Sequence, residues 1–207
     1  VEGTEYVYAG GGADVVTVAG DEASNVYGEG GDDRLFGNSA GSLLDGGSGE
    51  DVLIGGSGSD TLVGGSGDDV LSSGSGSDTL DGGHGIDRID AGSGSDVITG
   101  GAGDDTIDGG AGSDTATFSG DISDYQITTN KDGTTVTVTD INTADGDDGT
   151  DSLTSVETLA FADGQQLEVS DDNDGEIPLQ QSIDVQNRSY NWLTSFLLKQ
   201  SVDAQKK

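Results

Sequence analysis

Aliphatic side chains return at a fixed interval through the first half of the chain. Leu53, Leu62, Leu71, Leu80, Ile89, Ile98 and Ile107 follow one another nine residues apart. The register runs back through Leu44, Leu35, Val26, Val16 and Val7, with one extra residue between Val16 and Val26, and forward to Ala116. Most of these copies read G-G-x-G-x-D-x-(Leu/Ile/Val)-x. Glycines at the first, second and fourth positions suit a tight turn. The last three residues favour β structure, with the aliphatic pointing to one face and its neighbours to the other. One turn and one short strand cannot close a circuit, whereas two units form a coil with turns on opposite sides. Stacked coils give two parallel sheets whose aliphatic columns meet between them. The spacing therefore predicts an all-β parallel solenoid over residues 1–117, with a core one side chain wide.

The pattern stops after Thr117. "YQITTNKDGTTVTVTD" (125–140) alternates apolar and polar residues around a turn and predicts a β-hairpin. "SLTSVETLAFADGQQLEV" (152–169) adds short apolar segments and an Asp-Gly turn, so 118–169 is expected to be a β-rich cap. An acidic linker is expected over 170–184. Residues 185–203 carry Val185, Tyr190, Trp192, Leu193, Phe196 and Leu197 at roughly helical spacing, which predicts a short amphipathic tail helix.

Composition sharpens the problem that this fold must solve. The 207 residues include 40 acidic and only seven Lys plus Arg, a formal net charge of -33, with 30% hydrophobic residues. Such a balance ordinarily leaves a chain disordered, yet a linker would not hold one phase for a hundred residues. Cysteine is absent, so no disulfide compensates for the thin core. No apolar run is long enough for a transmembrane helix. The chain opens at Val1 with no visible signal peptide and is read as part of a longer protein. Its charge disfavours nucleic acid and anionic membranes as partners and favours cations.

The repeated aspartates fall on two sides of the predicted coil. One side carries Asp14, Asp33, Asp51, Asp69, Asp87 and Asp105. The other carries Asp60, Asp78, Asp96 and Asp114, preceded by Glu5, Ser24 and Ser42 where an Asp would complete the column. Coils stacked about 4.8 Å apart would line up like charges. Carboxylates with turn carbonyls form an all-oxygen donor set that suits Ca²⁺ better than Mg²⁺, which keeps its water. Zinc lacks its ligands, with no Cys and a single His, His84. One ion between each pair of intact turns gives five sites on the first side and three on the second, about eight Ca²⁺ in all. Residues 1–117 hold 23 acidic and two basic residues, hence -21, and eight Ca²⁺ would bring this to about -5.

The run "GGSGEDVLIGGSGSDTLVGGSGDDVL" (46–71) resembles the RTX, or hemolysin-type, calcium-binding nonapeptide repeats. The resemblance covers about residues 5–168. It implies a right-handed parallel β-roll whose ions are held by the sixth-position Asp residues and by carbonyls of the glycine turns. On the first side those glycines are Gly47, Gly49, Gly65, Gly67, Gly83, Gly85, Gly101 and Gly103. On the second they are Gly56, Gly58, Gly74, Gly76, Gly92 and Gly94. The resemblance further implies type I secretion by a bacterium and folding of the chain in extracellular calcium, as a monomer. "GTDSLTSVETLAFADG" (149–164) is similar to segments that often follow such repeats.

Other motifs point elsewhere only weakly. "GNSAG" (37–41) fits a nucleophile elbow but sits inside a degenerate repeat without a partnered histidine. No catalytic or organic-cofactor site is expected. The acidic loops at 140–151 and 170–176 loosely resemble calcium loops but match no EF-hand spacing; they read as solvated loops, with additional Ca²⁺ sites there left open. Stacked Ser59, Ser77, Ser95 and Ser113 form a flat face of small residues. Two other functions stay open: an accessory polysaccharide-binding module of a secreted enzyme such as an alginate epimerase or lipase, or a ligand- or ice-binding region of a large cell-surface adhesin.

Overall fold

The computed structural model describes residues 5–130, 133–144 and 147–169. The expected acidic linker and tail helix lie outside the described residues. The chain winds into a β-solenoid of about six coils. Coil one joins β1 (Glu5–Gly11) to β2 (Val15–Thr17), and coil two joins β3 (Ser24–Gly30) to β4 (Arg34–Phe36). Coil three joins β5 (Ser42–Ser48) to β6 (Val52–Ser57), and coil four joins β7 (Thr61–Ser66) to β8 (Val70–Ser75). Coil five holds β9 (Thr79–His84), β10 (Arg88–Asp90) and β11 (Ser93–Gly94). Coil six holds β12 (Val97–Ala102), β13 (Thr106–Asp108) and β14 (Ala111–Gly112).

The first and second strands of each coil build two sheets. One runs β1-β3-β5-β7-β9-β12 and continues into β15 (Thr115–Phe118); the other contains β2-β4-β6-β8-β10-β13. Neighbours are parallel, and the aliphatic of each coil pairs with that of the next, Leu44 with Leu62 and Leu53 with Leu71. From Val26 to Ala116 every member of this column is at most 1% exposed. Several strands are longer than the three residues the motif predicts. They run on through the first half of the turn, where Gly47 pairs with Gly65 and Ser48 with Ser66.

Beyond β15 the sequence period breaks but the solenoid does not. After a 3-10 turn (Ile122–Asp124), β16 (Tyr125–Thr129) and β17 (Thr135–Asp140) form the expected antiparallel hairpin. Next, β18 (Thr150–Thr154) returns to the second sheet, parallel to β13, with Leu153 opposite Ile107. β19 (Thr158–Phe161) then returns to the first sheet, parallel to β15, with Leu159 opposite Ala116. A seventh coil thus follows an inserted hairpin. β17 covers the edge of β18, and β20 (Gln166–Glu168) covers that of β19, both antiparallel. Phe118, Tyr125 and Phe161 pack ring to ring at 5.3–5.5 Å and seal this end of the core.

Candidate metal centre

Each intact turn delivers one aspartate to the interior, and the stack turns these residues into ladders. On the first side the Asp14 N–H donates to Asp33 Oδ1 at 2.8 Å, and Asp33 to Asp51, Asp51 to Asp69, Asp69 to Asp87 and Asp87 to Asp105 at 2.7–2.8 Å. On the second side Ser42 donates to Asp60, Asp60 to Asp78, Asp78 to Asp96 and Asp96 to Asp114 at 2.6–2.9 Å. The structure therefore brings together all ten predicted aspartates in two columns. Nine of them, all but Asp14, are at most 2% exposed.

Only one oxygen of each carboxylate is used. Oδ2 of Asp33, Asp51, Asp69, Asp87 and Asp105, and of Asp60, Asp78, Asp96 and Asp114, is buried with no hydrogen-bond partner. The environment is rich in further acceptors. A methyl group built on Gly64 would lie 2.5 Å from both Asp69 Oδ2 and the Gly82 carbonyl oxygen, and on Gly82 it would lie 2.4 Å from both Asp87 Oδ2 and the Gly100 carbonyl oxygen. Two acceptors converge at such points with no donor between them. An orphaned buried carboxylate oxygen costs the full desolvation of that charge unless a cation or proton supplies the partner.

The predicted glycines occupy the outer arc of each turn. At the second and fourth positions φ is positive, and a Cβ would strike the carbonyl one coil earlier: Gly65 meets the Gly47 oxygen at 2.2 Å and Gly67 the Gly49 oxygen at 1.9 Å. The same contact recurs for Gly56 and Gly58 beneath Gly74 and Gly76, for Gly83 and Gly85 beneath Gly101 and Gly103, and for Gly92 and Gly94 beneath Gly110 and Gly112. Among the described residues no three His, Cys, Asp or Glu side chains converge on one point. Any ion held in these turns therefore relies on backbone carbonyls beside one or two carboxylates, as hard oxygen-seeking cations do.

Burial, reinforced by neighbouring carboxylates, raises Asp51, Asp87, Asp96 and Asp114 above the ordinary carboxylate value, and pushes Asp60 and Asp105 up to about 6 and Asp69 to about 7. Motif reading stopped at Asp114 and missed two members of the ladders. Asp105 N–H donates to Asp151 Oδ1 at 2.9 Å, and Asp114 N–H donates to Glu157 Oε2 at 2.7 Å. Asp151, 2% exposed, is pushed up to about 8 by burial and by Asp105, Asp148 and Asp104. The signal was present as Gly149-Thr150-Asp151-Ser152-Leu153, the second half of a nonapeptide, displaced out of phase. Ser39 and His84 are exposed in turns on opposite sides of the roll, so "GNSAG" has no histidine beside it.

The family model described as RTX calcium-binding nonapeptide repeat, in four copies, matches residues 18–44, 45–80 and 81–116. This stretch is an RTX β-roll. RTX repeats bind Ca²⁺, so the chain carries a calcium-binding module whose roll is structural and not catalytic. The donor set fits: carboxylate and carbonyl oxygens alone, with a buried, unpartnered Oδ2 in nine of the ten aspartate turns. Comparison with curated proteins finds no match. Among the described residues no helix is long and apolar enough to cross a membrane.

Proposed function

We propose that the RTX roll is a folding switch thrown by extracellular Ca²⁺, with the ion serving as part of the core. The observation that carries this reading is the set of nine buried Oδ2 atoms without a partner. Ions between successive turns would be held by Asp14, Asp33, Asp51, Asp69, Asp87 and Asp105 on one side and Asp60, Asp78, Asp96 and Asp114 on the other, with carbonyls of the turn glycines completing each set. About eight ions follow from these pairs. Ca²⁺ supplies charge neutralisation that the two arginines of the roll, Arg34 and Arg88, are too few to provide. The chain's own residues set the register: the Oδ1 ladder fixes each carboxylate, and the glycines let the coils approach.

Magnitudes agree. At ten times Kd one ion stabilises the fold by about 1.4 kcal/mol, so eight contribute about 11. That is the whole stability of a typical domain, about 5–15 kcal/mol. Such a chain stays unfolded in calcium-poor cytoplasm, suits type I export from a bacterium, and folds as a monomer outside.

Protons compete for the same oxygens. The raised carboxylates leave the metal-free roll unpenalised below the unfolded value near 3.8, and the penalty grows as pH rises through about 6 to 7. At neutral pH calcium is needed in full. The test is circular dichroism of the full chain in EDTA and in millimolar Ca²⁺ at pH 7.5. A coil spectrum converting cooperatively to β is expected, and a β spectrum in EDTA would refute the switch.

A further inference from the structure

Residues 149–157 lie outside the matched repeats, yet they reproduce the turn geometry on both sides of the roll. On the first side the ladder partner lies 46 residues on instead of 18, an excess of 28. Gly149 takes the place of a fourth-position glycine: its φ is 71°, and a Cβ there would meet the Gly103 carbonyl oxygen at 2.2 Å. The rim is copied too. Thr150 N–H donates to Asp104 Oδ1 at 2.8 Å, as Ile86 N–H does to Asp68 Oδ1. On the second side the turn is three residues shorter, with strand partners 43 residues apart, Thr115 with Thr158, where the first side has 46. The longer arm of Glu157 makes good that shortening and still reaches the Asp114 N–H. The Ser155 carbonyl oxygen would lie 2.1 Å from a Cβ on Gly109, as the Gly82 oxygen lies against Gly64.

We propose that this coil completes two further cation sites, one between Asp105 and Asp151 and one between Asp114 and Glu157. The independent observation is that Asp105 Oδ2 and Asp114 Oδ2, at 1% and 0% exposure, have no partner although a seventh coil already covers them. The proposal rests on the calcium reading and extends it. The first site draws its two carboxylates from opposite sides of the inserted hairpin. Its ion would therefore fasten the insert to the roll, beside the network in which Asp148 accepts from Ser119 N–H at 2.9 Å, Ser119 Oγ at 2.7 Å and the Tyr125 hydroxyl. Calcium would then order the end cap as well as the repeats.

Asp151→Asn is the discriminating variant, because it keeps Oδ1 for the Asp105 N–H and mimics a protonated carboxyl. Glu157→Gln does the same on the other side, and Asp163→Asn, in the exposed turn after β19, is the control. Bound Ca²⁺ per full chain is counted by equilibrium dialysis, and the folding midpoint is read by circular dichroism. One ion fewer and a severalfold higher midpoint in Asp151→Asn and in Glu157→Gln are expected. Counts and midpoints equal to those of Asp163→Asn would overturn the proposal, showing that the columns end in protonated caps. Should Asp151→Asn not fold at any calcium concentration, Glu157→Gln decides. A wild-type chain folded in EDTA would instead overturn the calcium reading itself.

Discussion

The two ends of the roll depart from the nonapeptide in opposite ways. Near the N-terminal end the backbone keeps its stacking, with Ser24 opposite Ser42 and Val26 opposite Leu44, while serine replaces the acid. Local polar groups take over the turn there: Asn38 Nδ2 donates to the Glu22 carbonyl at 2.8 Å, and Asn38 Oδ1 accepts from Ala40 N–H at 2.9 Å. At the C-terminal end continuity is broken by a hairpin while the acids are kept, as Asp151 and Glu157. The stack thus tolerates loss of a carboxylate where side chains satisfy the turn, and loss of period where the carboxylate register survives. Register, more than the nine-residue count, defines the unit.

The strongest way to break this comparison is to remove the C-terminal end. Truncation after Thr117 uncovers Ile107 and Ala116, each 1% exposed, and deprives Asp105 and Asp114 N–H of their acceptors. It also deletes the fully buried Leu153 and Leu159, each contributing about 1.5–3 kcal/mol. Solenoids need such ends covered. Folding is expected to be abolished, or its calcium midpoint raised severalfold, in a titration followed by circular dichroism. A midpoint equal to that of the full chain would show that the seventh coil contributes nothing.

How far the sequence could be read follows from the same contrast. From Val26 to Ala116 one aliphatic per nine residues placed the central core column and both aspartate columns, because burial and turn chemistry repeat there with a fixed period; the buried Val18 and Ala91 fall outside that period. The hairpin at 125–140 was legible from alternation. The seventh coil was not, since a period search sees spacing along the chain, and the insertion displaces Asp151 from phase while the shortened turn exchanges Asp for Glu157. Nor could spacing reveal which oxygen of each carboxylate is spent on the backbone ladder and which is left for a cation.

A single oxygen in mid-column tests the regular part against both ends. In Asp69→Asn the amide oxygen can still accept from Asp51 N–H, whose bond is 2.7 Å, but an amide nitrogen replaces the orphaned Oδ2. If two ions share this carboxylate, the bound-ion count falls and the calcium midpoint rises severalfold, less than on truncation because both neighbouring coils remain. Fewer ions with the β spectrum restored at saturating calcium is the expected result. An unchanged count by equilibrium dialysis would remove Oδ2 from the ligand set.

The smallest effect belongs to the N-terminal end. A methyl on Gly37 would lie 2.3 Å from the Gly55 carbonyl oxygen and 2.7 Å from Ser42 Oγ, the same convergence of two oxygens found beside Asp69. Here one of them is a hydroxyl, which carries its own proton, so no cation is required for the two to coexist. Ser42 Oγ is contacted by Asn38 N–H at a long 3.4 Å, and the Ser42 N–H to Asp60 Oδ1, at 2.6 Å, belongs to the backbone. Ser42→Ala keeps that backbone bond and removes no charge. Ser42 is 6% exposed, so losing its long bond from Asn38 should cost toward the lower end of about 0.5–1.5 kcal/mol, and the calcium midpoint should barely move. A severalfold rise would mean that an ion is held at Ser42 after all, and that the second column's run of sites begins before Asp60.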